Sequence, residues 1–404
     1  MLITSNIAIG MGVDVMKYTE MLGNALDYLE KSDLDGWLLY DYRYVNPIFA
    51  QLLGPIPMLT RPVFLYIGSV GETLLLAHHV DVGRLSHLGY QVLVYSDRSS
   101  MIWNLANMLR GKKRIAMEYS PKAWLPRVSR VDAGTLELVR DFGVQIVSSG
   151  DLVQYVTQRW SPSQVQSHMR VAAKLTAIVR EAFQYIRLHL LDNPSEWDVM
   201  CLIRNRLIEE GLESSDGPCV AIDKNSSDPH YSPESDTALT IASGSWVLID
   251  LWARESGKDT VFSDITWVGY VGDSVPKAQK EAFDVVIKAR DSALKFLRDK
   301  FIVGEHPEGW EVDKVARDYV ISRGYGDYFT HRLGHSLGVE VHGDAVNLDG
   351  WETHDTRQVI PGVAVTIEPG VYLPEFGMRS EINVYVENSG PRVTTEMQLE
   401  VVHI

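Results

Sequence analysis

Four acidic residues stand at the polar positions of stretches that are otherwise apolar and β-forming, and this restricts the fold more than any other feature of the sequence. Trp246-Val247-Leu248-Ile249-Asp250 ends in an acid, and Val261-Phe262-Ser263-Asp264-Ile265-Thr266 carries a second, 14 positions on, past a polar turn containing Gly257. The two carboxylates can meet across a hairpin, with Thr266 on the face of Asp264, where its hydroxyl can support whatever the acid binds. Val363, Val365 and Ile367 make one face of a later strand and leave Thr366 and Glu368 on the other, before Pro369-Gly370 breaks it. Beyond a turn around 374–377, Arg379, Glu381, Asn383 and Tyr385 share one face of a further strand, opposite Ile382, Val384 and Val386. Taken singly, each acid is as readily a solvated strand end. Converging, they would repel, since two unit charges about 4 Å apart cost roughly 4 kcal/mol at an effective dielectric near 20. Two divalent cations would resolve that repulsion. Four carboxylates and one imidazole suit Mn, Co, Fe or Zn pairs better than a structural, cysteine-bound zinc.

The imidazole would come from His331-Arg332-Leu333-Gly334-His335-Ser336-Leu337-Gly338-Val339-Glu340-Val341-His342. Gly334 and Gly338 argue against a helix, and no Glu follows His331, which excludes the helical zinc pattern H-E-x-x-H. Val339-Glu340-Val341-His342 alternates like a strand and puts His342 on the face of Glu340. His331 and His335 lie in the glycine-loosened approach, where they either crowd around a metal ion or make ordinary hydrogen bonds in a turn.

At 404 residues the chain is long for one core, and two domains are expected. A net charge of −15 disfavours nucleic acid, which is gripped by Lys and Arg, and favours a small or peptide substrate. Cys201 and Cys219 are too few for a disulfide framework and stand in no metal-binding arrangement, which points to a reducing compartment. The first 16 residues hold no Lys or Arg and no long apolar run, and nothing reads as a membrane span, so the expectation is a cytoplasmic protein.

Along the chain, apolar residues Met21, Leu22, Ala25, Leu26 and Leu29 predict an amphipathic helix over 17–31. Short β-type runs follow at 36–40, 63–67, 73–77 and 91–95, the middle two joined by a glycine-containing turn. Helices at 99–109 and 133–141 alternate with strands at 114–118 and 144–147, which makes an α/β domain. The texture changes near residue 155, dividing the chain into 1–155 and 156–404. Ser161-Pro162 opens a long helix over 163–191, and Ser195, with Asp198 three residues on, opens another over 195–210. Strands then dominate, interrupted by helices at 277–300 and 311–323.

The ordered set Asp250, Asp264, His335, Glu368 and Glu381 resembles the metal-ligand signature of the pita-bread metallopeptidases: methionine aminopeptidase, aminopeptidase P, prolidase and their non-metal relative creatinase. The matching strings are Leu248-Ile249-Asp250, Ser263-Asp264-Ile265-Thr266, the histidine segment, Thr366-Ile367-Glu368-Pro369-Gly370 and Arg379-Ser380-Glu381. The resemblance implies an α/β two-domain chain, with a creatinase-like N-terminal α/β domain and a C-terminal α+β pita-bread catalytic domain. It further implies a dinuclear site, Mn foremost with Co, Zn or Fe as alternatives, in which Asp264 and Glu381 bridge, Asp250 completes one position, and His335 with Glu368 completes the other. Glu368 would then carry the proton to the leaving nitrogen, with His342 and His230, the latter in Asp228-Pro229-His230-Tyr231, stabilising the tetrahedral intermediate. His331 resembles the first His of the prolidase-type H-x-x-G-H and joins the catalytic candidates.

Substrate-binding candidates are His230, Arg379 and Arg357. Arg379 is equally a structural partner of Glu381, and Arg357 equally a solvated loop residue. Trp267-Val268 replaces the Arg-Thr that commonly follows D-I-T, the two aspartates lie farther apart than the family usually sets them, and 343–350 contains no Arg, although some prolidases bind a carboxylate with one there. The expected activity is Xaa-Pro dipeptide hydrolysis (prolidase). The rivals are aminopeptidase P acting on longer Xaa-Pro-Xaa peptides and a catalytically silent binding protein of the same fold. A homodimer is implied by resemblance alone.

Overall fold

The computed structural model describes residues 12–54, 56 and 58–404, so most of the N-terminal stretch read above for a leader lies outside the described residues. The chain divides into two compact units, Met1–Thr157 and Gln158–Ile404.

The first unit is an α/β sheet layer. Its elements are α1 (Gly12–Lys31), β1 (Gly36–Asp41), α2 (Pro47–Leu53), β2 (Val63–Gly68), β3 (Thr73–His78), α3 (Val82–Leu85), β4 (Gln91–Tyr95), α4 (Arg98–Met108), β5 (Arg114–Met117), α5 (Ala133–Arg140), β6 (Gln145–Ser148) and α6 (Gly150–Thr157). The strands form one mixed sheet in the order β4-β3-β2-β1-β5-β6. Central β1 and β2 are buried along their whole length because both faces are covered, which is why they read as unbroken apolar runs. Alternate residues of β1 feed two separate cores, Trp37 and Leu39 one and Leu38 and Tyr40 the other. The short helix α2 was not anticipated, although Asn46 capping Ile48 N, with Pro47 at the first helical position, is a legible start signal.

The second unit is α+β, as expected, and repeats one order: two helices, then antiparallel strands. The first set is α7 (Pro162–His189), α8 (Glu196–Glu209), β7 (Leu212–Glu213), β8 (Cys219–Ile222), β9 (Trp246–Glu255) and β10 (Ser263–Tyr270). The second is α9 (Lys277–Ile302), α10 (Gly309–Ser322), β11 (Ser336–Leu337), β12 (Ala364–Ile367), β13 (Gly370–Tyr372), β14 (Gly377–Arg379), β15 (Ile382–Glu387) and β16 (Gly390–Val393), with β17 (Val402–His403) returning to pair with β10. Reciprocal capping boxes start both helices of the first set, Ser161 with Gln164 and Ser195 with Asp198. The α7–α8 pair packs on one face of β9 and β10, and α9–α10 covers β12 and β15.

The two sheets of this unit meet through a side chain. The Asn383 amide accepts from Asp264 N at 2.9 Å and from Ser263 Oγ at 2.9 Å, and its Nδ2 donates to Asp264 O at 2.7 Å. It thus imitates a peptide group and stitches β15 to β10.

Two expectations are corrected. The strand expected through Val339–His342 is a turn: Gly338 N donates to the Glu340 carbonyl and Gly343 N to the Ser336 carbonyl at 2.7 Å, so the chain folds back immediately after β11. The single strand expected from Arg379 to Val386 is broken at Ser380-Glu381, because Gly377–Arg379 pairs with β13 whereas Ile382–Glu387 pairs with β12. The buried Arg290 guanidinium of α9 holds the break, donating to Ser380 Oγ and to the Gln398 carbonyl, both at 2.9 Å.

Gly334 is fixed by close approach. A Cβ there would lie 2.1 Å from the backbone oxygen of Thr366, with no flexible atom to yield. Gly334→Ala is expected to destabilise the chain by about 3 kcal/mol or more, read as a lowered melting temperature or urea midpoint, because β12 must move to admit the methyl group.

Candidate metal centre

The β9–β10 register sets Thr266 opposite Asp250 and Asp264 opposite Trp252, so the two aspartates lie on one face, diagonally across the hairpin. Glu368 follows the last residue of β12. Its amide is held by the Leu333 carbonyl, and Thr366 N by the His335 carbonyl, each at 2.8 Å, which runs the histidine segment alongside β12. Glu381 sits in the break between β14 and β15, its amide against the Thr266 carbonyl. Three antiparallel pairings thus bring together residues distant in sequence. Among the described residues, ligand atoms of Asp264, His335 and Glu381 all lie within 4.8 Å of one another, and all three side chains are buried.

The hydrogen bonding leaves this cluster short of positive charge. The Nδ1 of His335 faces the Ser336 carbonyl at 3.1 Å, which can only accept, so the proton of the neutral ring sits on Nδ1. Burial pushes this imidazole down to about 3, and the ring is neutral near pH 7. Its Nε2 lone pair then points at Glu368 Oε1, 3.3 Å away, and Asp264 Oδ2, 3.7 Å away. Acceptors facing acceptors at these distances call for a cation between them. Thr266 makes the same case, because its one hydroxyl proton lies within reach of both Asp250 Oδ1 (3.0 Å) and Glu381 Oε2 (2.9 Å). Asp264 Oδ1 and Glu381 Oε1 are buried with no hydrogen-bond partner among the described residues. Burial, and after it mutual repulsion, raises Asp264 and Glu381 well above the ordinary carboxylate range. Burial raises Asp250 and Glu368 as well, against the opposing charge of Arg379. The donor set therefore fits divalent cations: oxygen-rich, one neutral imidazole, and two oxygens otherwise orphaned.

Arg379 is the positive charge the chain itself supplies. Its Nη2 donates to Asp250 Oδ2 at 2.5 Å, Nε to Thr266 Oγ1 at 2.9 Å and Nη1 to the Tyr372 hydroxyl at 2.9 Å. All three faces of the guanidinium are thereby engaged in orienting the cluster. Tyr372 in turn donates to His331 Nε2 at 2.9 Å, and burial pushes His331 down to about 3. The structure thus places His331 behind Arg379, as the end of a chain of positioning groups, and not among the ligand atoms. Tyr372 carried no signal in the sequence, since a Tyr two residues past Pro-Gly reads as ordinary strand.

The remaining candidates divide. His342 is exposed, its ring perpendicular to that of His335 with centroids 4.4 Å apart, and its charge reaches Glu368. His230 is exposed in the loop after β8. The buried carboxylate of Glu196 organises that loop by accepting from Ile222 N, the Tyr231 hydroxyl and Leu239 N at 2.7 to 2.8 Å. Ser226, in the same loop, accepts from Gly377 N at 2.7 Å and so ties it to β14. Arg357 is neither solvated nor turned to the cluster. It is buried, paired through two nitrogens with Asp355 at 2.6 and 3.0 Å and bonded to the Asp344 carbonyl at 2.7 Å.

The model of metallopeptidase family M24 matches residues 167–388. Uncharacterized peptidase YqhT of Bacillus subtilis is 32% identical over 237 residues, 58% of this chain and 62% of that protein. The Xaa-Pro dipeptidase of Pyrococcus horikoshii is 32% identical over 166 residues, 40% of this chain and 42% of that protein. The chain thus spans less than two thirds of the length of each of these curated relatives. The crystal structure of dipeptidase PepE from Mycobacterium ulcerans superposes with a TM-score of 0.66 at 21% identity, covering 97% of this chain and 99% of that one. The last likeness establishes the two-domain fold, a creatinase-like α/β unit followed by a pita-bread unit.

The raised carboxylates hold protons in the folded chain that the unfolded chain would release, so without cations their contribution to stability is lost as the pH rises through their elevated values. His335 acts in the opposite sense and costs stability as the pH falls below 6.5. At pH 7.5, chelated Asp264→Asn protein is expected to melt a few degrees above chelated wild type. Added Mn²⁺ is expected to raise the melting temperature of wild type but not of the variant. Differential scanning fluorimetry checks both.

Proposed function

We propose that this chain, which belongs to metallopeptidase family M24, hydrolyses the peptide bond preceding proline in Xaa-Pro dipeptides, with two divalent cations held by Asp250, Asp264, His335, Glu368 and Glu381. The observation that carries the reading is the buried convergence of Asp264, His335 and Glu381, with two carboxylate oxygens that have no hydrogen-bond partner among the described residues. Manganese comes first among the candidate metals on the strength of the oxygen-rich donor set, with Co, Zn or Fe as alternatives. When bound, such a pair supplies Lewis acidity and a nucleophile at neutral pH.

The chain's own groups do the rest. Glu368 receives the Thr366 hydroxyl on Oε1 at 3.0 Å, which leaves Oε2 to take up a proton and deliver it to the leaving nitrogen. Its burial raises its proton affinity, as a carrier near neutral pH requires. In this reading His342, exposed beside His335, donates to the oxygen of the scissile carbonyl as charge develops there, and His230 is the second such donor. Arg379, Tyr372 and His331 orient Asp250 from behind. Support for proline comes from the Pyrococcus horikoshii relative bearing the name Xaa-Pro dipeptidase, and from the chemistry of a tertiary amide, whose missing N–H a shaped site can select. The two cysteines, both free, suit a reducing compartment.

Chelation is expected to abolish hydrolysis of Ala-Pro and Mn²⁺ to restore it, and Asp264→Ala and Glu381→Ala each to lower kcat/KM by about 10³-fold or more. Full activity in both variants would remove the proposal.

A further inference from the structure

On β9 and β10 the face that carries the cluster continues past the acids. Alternation puts Asp250, Trp252 and Arg254 on one face of β9, and the register sets Thr266 opposite Asp250 and Asp264 opposite Trp252. Farther out, the Arg254 guanidinium lies over the Phe262 ring, 5.5 Å from its centroid. Cys219, opposite Asp250 on β8, joins the same face and donates its thiol to the Tyr231 carbonyl at 2.9 Å. Trp252 is thus the direct cross-strand neighbour of Asp264, with their Cβ atoms about 5 Å apart, as opposed residues of an antiparallel pair are.

Two features of this indole do not serve the fold. Its Nε1 is buried and has no hydrogen-bond partner among the described residues. A buried donor left unpaired costs on the order of 1–3 kcal/mol, and a leucine or phenylalanine would pack without that cost. The ring is also wedged. Extending the β8–β9 register two residues beyond Cys219 brings Gly217 opposite Trp252, and a Cβ on that buried glycine would lie 2.9 Å from both Cε2 and Cζ2 of the ring. The indole therefore lies against bare backbone, and it packs as well against the apolar group that includes Phe262 and Leu337. A half-buried ring held in this way does not swing aside to admit a bulky neighbour.

We propose that Trp252 walls the space for the substrate's N-terminal side chain and restricts it to small residues, so that Gly-Pro and Ala-Pro are favoured over Leu-Pro and Phe-Pro. The proposal rests on the peptidase reading above. Glu368, in delivering a proton to the proline nitrogen, holds the proline on the β12 side of the cluster, where it stands beside His335. The residue before proline then extends over the β9–β10 hairpin, past Asp264, and meets the indole. Trp252 takes no part in bond cleavage, and its effect falls on which side chains fit.

The test sets Ala-Pro against Phe-Pro on the metal-loaded full chain. Wild type is expected to favour Ala-Pro by about tenfold or more in kcat/KM. Trp252→Ala is expected to raise the ratio of Phe-Pro to Ala-Pro hydrolysis by about tenfold or more, mainly through KM for Phe-Pro, and Trp252→Phe to raise it by less. Calorimetric titration of the same proteins with the two reduced-bond analogues, in which a methylene replaces the scissile carbonyl, is expected to give the same order in Kd. Equal hydrolysis of both dipeptides by wild type, or an unchanged ratio in folded Trp252→Ala, overturns the proposal. Where the alanine variant fails to fold, Trp252→Phe, which keeps a smaller ring and drops the unpaired N–H, decides by the same ratio. Hydrolysis of neither dipeptide by wild type overturns the peptidase reading itself, and this proposal with it, an outcome distinct from an active enzyme indifferent to side-chain size.

Discussion

Repulsion among four carboxylates, Asp264 and Glu381 buried and Asp250 and Glu368 half-buried, is the constraint around which the second unit is built. Asp250, Asp264, Glu368 and Glu381 each project from an otherwise apolar strand or strand end, and among the described residues the guanidinium in direct contact with them is that of Arg379. A single positive charge cannot neutralise four negative ones in a medium poorer in screening than water. What it can do is fix geometry, and its bonds to Asp250, Thr266 and Tyr372 do so. The remaining imbalance is a standing demand for cations, and the neutral His335, with its lone pair turned toward the acids, meets that demand as a ligand and not as a counter-charge.

The architecture follows from that demand. A carboxylate cluster on one sheet alone would face either solvent or an apolar layer, and neither would tolerate it dry. Here the polar faces of two antiparallel systems, β9–β10 and β12–β15, are turned toward one another and locked by Asn383, while their opposite faces carry the helices and the apolar cores. Gly334 lets the histidine segment press against Thr366, and the Ser380-Glu381 break lets one chain segment serve two sheets.

Much of this was legible in the residues. Period-two alternation marked which face each acid occupies, and the capping boxes at Ser161 and Ser195 fixed the helix starts. Where sequence reading went astray, long-range partners decided. Val339–His342 alternates as a strand would, yet the chain turns there, Gly338 N bonding to the Glu340 carbonyl and Gly343 N back onto Ser336. The run from Arg379 to Val386 looks continuous, but β13 and β12 compete for its two halves and Arg290, some 90 residues away, holds the break. Arg357 as a letter gives no sign of its partner. Only the position of Asp355 in space closes it into a buried pair. His331 likewise took its place from Tyr372, a contact spanning 41 positions.

The proton on His335 Nδ1 is held by the Ser336 carbonyl. In many metal centres the imidazole tautomer is set by a neighbouring acid, so one substitution can flip the ring. Here the acceptor is main chain, one peptide along. Replacing the side chain at 336 leaves that oxygen where it was, and the orientation of the ligand nitrogen is inherited from the path of the backbone, beyond the reach of most single-codon changes.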